Sequence, residues 1–212
     1  MTSSREDSAS AHPTVRPSGP DPAGRRASPA LDALLAMMSA CAPEAYAHAR
    51  RVALGAVATA QTIDLPAPLV EQVEQAGLLH DIGKLAIAER NLGPQELHGD
   101  LHAVLLRQHV RVGFDILSVV PHLRSAASIV IALHERWDGF GYPAGLRGAE
   151  IPLGARIIAI ADAYDVLTST CAYRSGMSRD AANVEIVRGA GTYFDPDMVR
   201  AWLRASDRLE CS

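Results

Sequence analysis

Histidine and carboxylate residues occur at several helix-like positions of this chain, where such groups are normally avoided unless they are paired or bound to a metal ion. His80 and Asp81 are adjacent, so an imidazole and a carboxylate could approach one centre from two angles. Asp162 lies within the apolar run IIAIADAYDVL, where burying an isolated carboxylate is costly unless a cation meets it. These residues favour a metal centre built from imidazole and carboxylate ligands.

Three other positions have types and spacing suited to the same chemistry. Glu44 and His48 are four residues apart and would share one face of a helix. His109 falls within the fourth predicted helix and His134 at the end of the fifth. Each alone has an ordinary explanation, because single helical histidines are more often hydrogen-bonded than metal-bound. Glu44 is equally well suited to the first turn of a helix, where the dipole favours an acid.

The elements that must position these side chains are predicted to be helices. Apolar residues recur at helical spacing, without strand-like alternation, in residues 31–40, 43–61, 69–83, 101–117, 123–136, 152–168, 177–190 and 196–206. Gly83 predicts the end of the third helix just after His80 and Asp81, with a looser connection to follow. The glycine-rich segment DGFGYPAGLRG predicts a shaped loop. We therefore expect an all-α helical bundle with an inserted loop.

Composition limits the class of protein. The 212-residue chain is 48% hydrophobic but only 5% aromatic, which favours closely packed helices with a core of Ala, Leu, Val and Ile. The net charge of −4 and the absence of a Lys/Arg run argue against binding to duplex nucleic acid. Scattered cysteines, no apolar leader and no membrane-length apolar run predict a cytoplasmic protein outside the membrane. Residues 1–30, rich in Ser, Pro and Arg, predict a disordered tail before one domain over 31–212.

Five motifs occur in an order and spacing that resembles the HD-GYP branch of the HD-domain phosphohydrolases. They are HARRV, HDIGK, HVRVG, HERWDGFGYP and ARIIAIADAYDVLTS, and the later segment GTYFDPDMVRAW is similar to the closing element of that family. A lone His-Asp pair would mean little, whereas five motifs between about Glu44 and Pro196 are specific. The resemblance implies a helical bundle that hydrolyses cyclic di-GMP in bacterial second-messenger signalling, often with iron or manganese.

The resemblance also implies a set of metal ligands. Matched motif by motif, these fall on Glu44, His48, His80, Asp81, His109, His134 and Asp162. Asp81 is then the carboxylate that bridges two ions. His48, His80 and Asp162 would hold one ion, and His109 and His134 the other. A donor set without thiolate suits iron, manganese or zinc, and two such ions can activate water and clamp the phosphate oxygens.

The family motifs also suggest substrate contacts. Lys84 matches the lysine of the family's HD-x-x-K motif and is expected to act in catalysis with Asp81, as an ammonium on the phosphate oxygens. A solvated lysine at a helix C-terminus is the simpler alternative. In the loop, Gly141 permits a tight turn, and Tyr142 could stack on guanine or form a hydrogen bond with it. A rigid lid of the same composition would need no ligand. Arg174 is expected to bind phosphate.

Two positions depart from the family pattern. Leu133 replaces the first of two consecutive histidines, which favours two ions over three although Glu44, associated with the third ion, is retained. Cys171 replaces an arginine, and a thiol cannot form the same fork of hydrogen bonds to phosphate. Two alternatives therefore stay open. One is a phosphohydrolase for another nucleotide or phosphate ester. The other is a catalytically silent metal-bound module that contacts a signalling protein through the GYP loop.

Overall fold

The computed structural model describes residues 28–91, 100–170 and 175–210, and the side chains over 28–87, 107–170 and 175–207. Residues 1–27 of the predicted tail, as well as Cys171 and Arg174, lie outside these ranges. Within them the chain forms helices and no strand, apart from an isolated bridge between Ala190 and Phe194. The all-α prediction is therefore confirmed for the part of the chain that is described.

The helices follow the predicted order. They are α1 Pro29–Cys41, α2 Pro43–Thr62, α3 Ala67–Leu79, α4 Ile82–Asn91, α5 Asp100–Ser118, α6 Arg124–Val130, α7 Leu153–Thr168, α8 Arg179–Arg188 and α9 Pro196–Glu210, with 3-10 turns at Pro121–Leu123 and Gly148–Glu150. Serine hydroxyls cap α1 and α8, where Ser28 accepts from the Leu31 N–H and Ser178 from the Ala181 N–H. None of these described helices is long and apolar enough to cross a bilayer.

Helix α2 lies at the centre of the bundle and contacts α1, α3, α7 and α9. Its buried face consists largely of small residues such as Ala53 and Ala56, which let the neighbouring helices approach closely. At Gly55, a Cβ would lie 2.9 Å from the ring of Trp202 in α9. The core is thus built as the composition predicts, from small and aliphatic side chains.

The predicted end of the third helix is wrong. Helix α3 ends at Leu79, His80 and Asp81 lie in a turn, and a separate helix α4 begins at Ile82, where a looser connection was expected. Gly83 does not end a helix. A Cβ at Gly83 would lie 2.0 Å from the carbonyl oxygen of His109, so this glycine lets the backbones of α4 and α5 touch. The contact brings His109 next to the turn that carries His80 and Asp81.

The fifth predicted helix, residues 123–136, is also shorter than expected. Helix α6 ends at Val130, and the chain then tightens into turns over residues 131–134. The N–H groups of Ala132 and Leu133 donate to carbonyl oxygens three residues back, which replaces the α-helical pattern. Leu133 is buried in the core, and His134 lies in the turn after the helix rather than at its end.

Candidate metal centre

Three predicted ligands meet where α2, α7 and the turn between α3 and α4 come together. His48, His80 and Asp162 each offer one ligand atom, and these atoms lie within 4.8 Å of one another. Nε2 of His48 is 3.2 Å from Oδ1 of Asp162, and Nε2 of His80 is 4.0 Å from the same oxygen. We call these residues the first donor group.

Asp81 lies between the first donor group and two further histidines. Its Oδ2 is 3.5 Å from Nε2 of His80, and its Oδ1 is 3.6 Å from Nε2 of His109. Nε2 of His109 is in turn 3.2 Å from Nε2 of His134. We call His109 and His134 the second donor group. The two oxygens of Asp81 therefore face one donor group each.

His80 has one ring nitrogen that hydrogen bonding leaves available for a cation. Its Nδ1 donates to the carbonyl oxygen of Gly77 over 2.8 Å, which places the proton on Nδ1. Its Nε2 is buried and has no hydrogen-bond partner among the described residues. A buried nitrogen without a partner is costly, whereas a cation would bind its lone pair. Together with the neighbouring carboxylates, this donor set fits a divalent metal ion.

The neighbouring charges and burial set the protonation of His48 and Asp81. Burial lowers the pKa of His48, but hydrogen bonds to Asp162 and Asp165 outweigh it and raise that pKa to about 9. Burial raises the pKa of Asp81, but electrostatic interactions with His80 and with the Lys84 ammonium outweigh it and bring that pKa down to about 2. Asp81 is therefore ionised at neutral pH, and an ion bound by His48 must displace a proton.

His134 differs from His48 in its protonation. Burial, followed by the nearby charge of His109, lowers the pKa of His134 to about 4. This imidazole is therefore neutral at neutral pH and keeps a lone pair that could bind a metal ion. The ring of Tyr142 stacks on it, with centroids 5.0 Å apart and an interplanar angle of 25°.

Lys84 lies beside Asp81 and is partly open to solvent. Its Nζ donates to Oδ2 of Asp81 over 2.7 Å, and its side chain is 45% exposed. Because α4 begins at Ile82, Lys84 occupies the first turn of a helix, where the dipole disfavours a cation. The alternative of a lysine at a helix C-terminus is therefore wrong.

The GYP loop, residues 138–148, packs back onto the turn that carries His134. The N–H of Tyr142 donates to the carbonyl oxygen of His134 over 3.1 Å. At Gly141 a Cβ would lie 2.3 Å from the backbone nitrogen of Arg136, so only glycine fits this approach. The guanidinium of Arg107 lies 5.5 Å from the centre of the Tyr142 ring. The GYP loop therefore packs against the turn that carries His134, a candidate metal ligand. Such packing is also what the alternative of a rigid lid predicts.

Two carboxylates near the centre were missed at the sequence level. Glu135 is buried, and its oxygens accept the N–H groups of Ala144 and Leu146 over 2.7 and 3.1 Å, which fixes the GYP loop. Asp165 accepts a hydrogen bond from Nδ1 of His48 over 2.7 Å. The only sequence signal for Asp165 is its position three residues after Asp162, which puts both on one face of a helix.

One predicted ligand is not part of the two donor groups. Glu44 lies one turn before His48 in α2, but its side chain is exposed, and it is not among the clustered atoms of the first donor group. Arg174, the predicted phosphate ligand, lies outside the described residues. The structure thus brings six of the seven predicted metal ligands together: His48, His80, Asp81, His109, His134 and Asp162.

The chain is similar in sequence to proteins of a known family. The model of a family described as HD domain matches residues 31–198. A cyclic di-GMP phosphodiesterase of Vibrio cholerae serotype O1 is 35% identical over 171 residues, covering 77% of this chain and 35% of that protein. A second protein of that organism, 3′3′-cGAMP-specific phosphodiesterase 2, is 33% identical over 169 residues. This match covers 78% of the present chain and 32% of the relative. The chain thus spans about a third of the length of these two relatives.

A solved structure shares the fold. The crystal structure of a cyclic GMP-AMP-specific phosphodiesterase of V. cholerae, V-cGAP3, aligns with a TM-score of 0.62 and 22% identity. The alignment covers 84% of this chain and 47% of that one. The two proteins therefore share a fold over most of the present chain.

Proposed function

Because this chain belongs to the HD-domain family and carries the motifs of its HD-GYP branch, we propose that it is a metal-dependent phosphodiesterase that hydrolyses cyclic di-GMP. The observation that carries the proposal is the position of Asp81, whose two oxygens face a donor group each. A carboxylate in this position suits a binuclear site for in-line displacement at phosphorus. The V. cholerae relative named for the same substrate supports the choice of substrate.

We propose that the site holds two ions, iron or manganese. The first donor group would bind one, the second donor group the other, and Asp81 would bind both. Ions held there would supply a nucleophile from water at neutral pH and offset charge on the phosphate. The burial of Leu133 in the core supports two ions rather than three, since this position offers no ligand.

In this reaction the residues of the chain bind and orient the phosphodiester. Asp81 fixes the ammonium of Lys84 at the edge of the centre, where nearly half of the lysine side chain is exposed. Lys84 would donate to a non-bridging phosphate oxygen as negative charge develops on it. Gly141, Tyr142 and Arg174 are the proposed contacts to the nucleotide. Since the Tyr142 ring already contacts His134 and Arg107, we assign its hydroxyl, rather than an open ring face, to the guanine.

A second candidate is the same reaction on a different cyclic dinucleotide. It is favoured by the relative named as specific for 3′3′-cGAMP and by Cys171 in place of the expected arginine. Both candidates use the same metal centre and differ only in base recognition. The contact of the GYP loop with a signalling protein stays a prediction from sequence.

The proposal is tested by measuring both the metal content and the turnover of the purified protein. We expect anaerobically purified protein to contain about two equivalents of iron or manganese and to linearise cyclic di-GMP. Asp81→Ala should lower the turnover number by at least about 100-fold, because it removes a ligand shared by both ions. Asp115→Ala is the matched control, since Asp115 is an exposed carboxylate of α5.

Three outcomes separate the candidates. Full turnover in Asp81→Ala, or a folded protein without metal, would contradict the proposed enzyme. A higher kcat/KM for 3′3′-cGAMP than for cyclic di-GMP would select the second candidate. Bound metal without turnover on either dinucleotide would favour the catalytically silent module.

A further inference from the structure

Asp165 is the most firmly held carboxylate near the metal centre, and the proposed reaction does not use it. It is 7% exposed and follows Asp162 by three residues in α7. Its Oδ2 accepts the Nδ1 hydrogen of His48 over 2.7 Å. Arg51 donates to the same carboxylate through Nε over 2.6 Å and through Nη2 over 2.8 Å. Both oxygens of Asp165 are therefore engaged, Oδ1 by Arg51 and Oδ2 by His48 and Arg51.

We propose that Asp165 and Arg51 are positioning residues that hold His48 with its Nε2 turned towards the metal centre. The inference rests on the proposed metal site, which it extends by two residues that do not themselves bind the ion. Asp165 would act on His48, and Arg51 would act on Asp165.

The hydrogen bond to Asp165 decides which nitrogen of His48 can bind a metal ion. With Nδ1 donating to the carboxylate, Nε2 is the only ring nitrogen left, and it lies 3.2 Å from Oδ1 of Asp162. An anionic acceptor also makes the imidazole a stronger ligand. The bidentate contact with Arg51 restrains the carboxylate that accepts this hydrogen bond.

The two histidines of the first donor group are held by different partners. His80 donates its Nδ1 hydrogen to the backbone carbonyl of Gly77, which no side-chain substitution removes. His48 depends on a side chain of another helix, 117 residues away in the sequence. Their rings meet edge to face, with centroids 5.2 Å apart, so that both Nε2 atoms approach Asp162. Substitution of Asp165 would therefore remove the hydrogen-bond partner of His48 and leave that of His80 in place.

The spacing of the four residues links α2 to α7. His48 and Arg51 are three apart on α2, and Asp162 and Asp165 are three apart on α7, so each pair lies on one helix face. Nε2 of His48 faces Asp162, while Nδ1 of His48 and the guanidinium of Arg51 meet Asp165. A shift of either helix by one turn would break these contacts together.

The experiment measures Mn²⁺ binding to metal-free protein by titration calorimetry, and it does not depend on turnover. We expect Asp165→Asn to lower the Mn²⁺ affinity by about 10- to 100-fold, the range observed for partners of metal-ligating histidines. Arg51→Gln should lower the Mn²⁺ affinity less, by only several-fold, because the hydrogen bond between His48 and Asp165 would remain. His48→Ala is the reference for loss of the ligand itself, and Asp115→Asn should bind Mn²⁺ as the wild type does.

Circular dichroism and thermal unfolding of each metal-free variant separate positioning from folding. A positioning defect is overcome by excess Mn²⁺, so turnover of Asp165→Asn should recover at saturating metal, which a folding defect would not allow. Arg51 is about half exposed, with 51% of its side chain accessible, so Arg51→Gln still tests the inference if Asp165→Asn does not fold.

The possible results are distinguishable. Wild-type affinity in Asp165→Asn or in Arg51→Gln, with a loss in His48→Ala, would overturn the positioning role and leave the metal centre in place. Wild-type affinity in His48→Ala as well would overturn both the first ion and the inference. Graded losses in the order His48→Ala, Asp165→Asn and Arg51→Gln are the expected result.

Discussion

At the residue scale, the proton on His48 makes the stability of the metal-free protein depend on pH. The pKa of His48 is raised from 6.5 in the unfolded chain to about 9 in the folded state, chiefly because two carboxylates overcome the effect of burial. A raised pKa contributes stability that is complete below about pH 6.5 and is lost as the pH rises through about 9.

We therefore expect the free energy of unfolding of metal-free protein to decrease between pH 6.5 and 9, as measured by urea denaturation. His48→Gln should flatten this part of the profile, because the titrating group is gone. The exposed His122 provides the control variant His122→Gln. A profile that keeps its slope in His48→Gln would assign the pH dependence to other residues.

Lys84 provides a second prediction at the same scale. Lys84→Met should reduce the turnover number by about 100-fold while the bound metal stays at the wild-type level, because the proposed role of the ammonium is to bind the phosphate and not the metal ion. Lys84→Arg should recover part of the loss. Equal losses of metal and turnover would instead mean that Lys84 stabilises Asp81, with which it forms an ion pair.

The sequence identifies candidate site residues where a motif carries them, and it misses residues whose role depends on a distant partner. His80, Asp81 and Asp162 indicate a candidate metal site through their residue types and their positions along the chain. Asp165 and Glu135 look like ordinary acids in the sequence. Their importance comes from His48 on another helix and from two backbone N–H groups of the GYP loop, and no local pattern contains that information.

At the element scale, Gly83 sets the distance between α4 and α5. Gly83→Ala should cost about 3 kcal/mol of unfolding free energy, because its Cβ would clash with the carbonyl oxygen of His109 and the two helices would have to separate. We also expect weaker Mn²⁺ binding, since His109 would move away from Asp81. Ser118→Ala at the exposed end of α5 is the control. Unchanged unfolding and Mn²⁺ affinity in Gly83→Ala would contradict the close approach.

The same glycine explains why the sequence misplaced this boundary. Glycine commonly follows a helix, so the local pattern predicts an end at this position. In the structure the helix ends earlier, at Leu79, and Gly83 serves a contact with His109 and Gly113, which come much later in the chain. Periodicity in the sequence identifies helices α2, α3 and α7, but it does not show where the backbones of two helices come into contact.

Glu135 sets the conformation of the GYP loop. Glu135→Gln should increase the hydrogen exchange rates of the Ala144 and Leu146 amides, because a neutral amide accepts these two hydrogen bonds less strongly. The loss of stability should be about 1 to 3 kcal/mol. Amides of α2 serve as the internal control. Unchanged exchange at Ala144 and Leu146 would mean that the loop is held by its other contacts.

At the scale of the whole molecule, the two proposed ions should act as cross-links between distant parts of the chain. Metal at about 1,000 times its dissociation constant adds about 4 kcal/mol to the free energy of unfolding. Removal by a chelator should therefore lower the melting midpoint by roughly 10 °C for a chain of this size. Differential scanning calorimetry measures the shift, and His48→Ala should reduce it. An identical midpoint with and without metal would contradict the cross-linking role.

The class of fold could be predicted because composition and helical periodicity act over the whole chain. The small-residue core around α2 corresponds directly to the low aromatic content. The packing of α4 on α5 and of the GYP loop on the turn at His134 could not be predicted, because both depend on backbone contacts between separate segments.

The long separation between His48 and its partners also constrains the order in which the protein can assemble during synthesis. His48, His80 and Asp81 leave the ribosome while Asp162 and Asp165 have yet to be added. The early helices form from local contacts, but the first donor group closes only when α7 packs against α2. Binding of the proposed ion is then expected to be a late event, because a nascent chain that stops before α7 lacks Asp162 and therefore a complete first donor group.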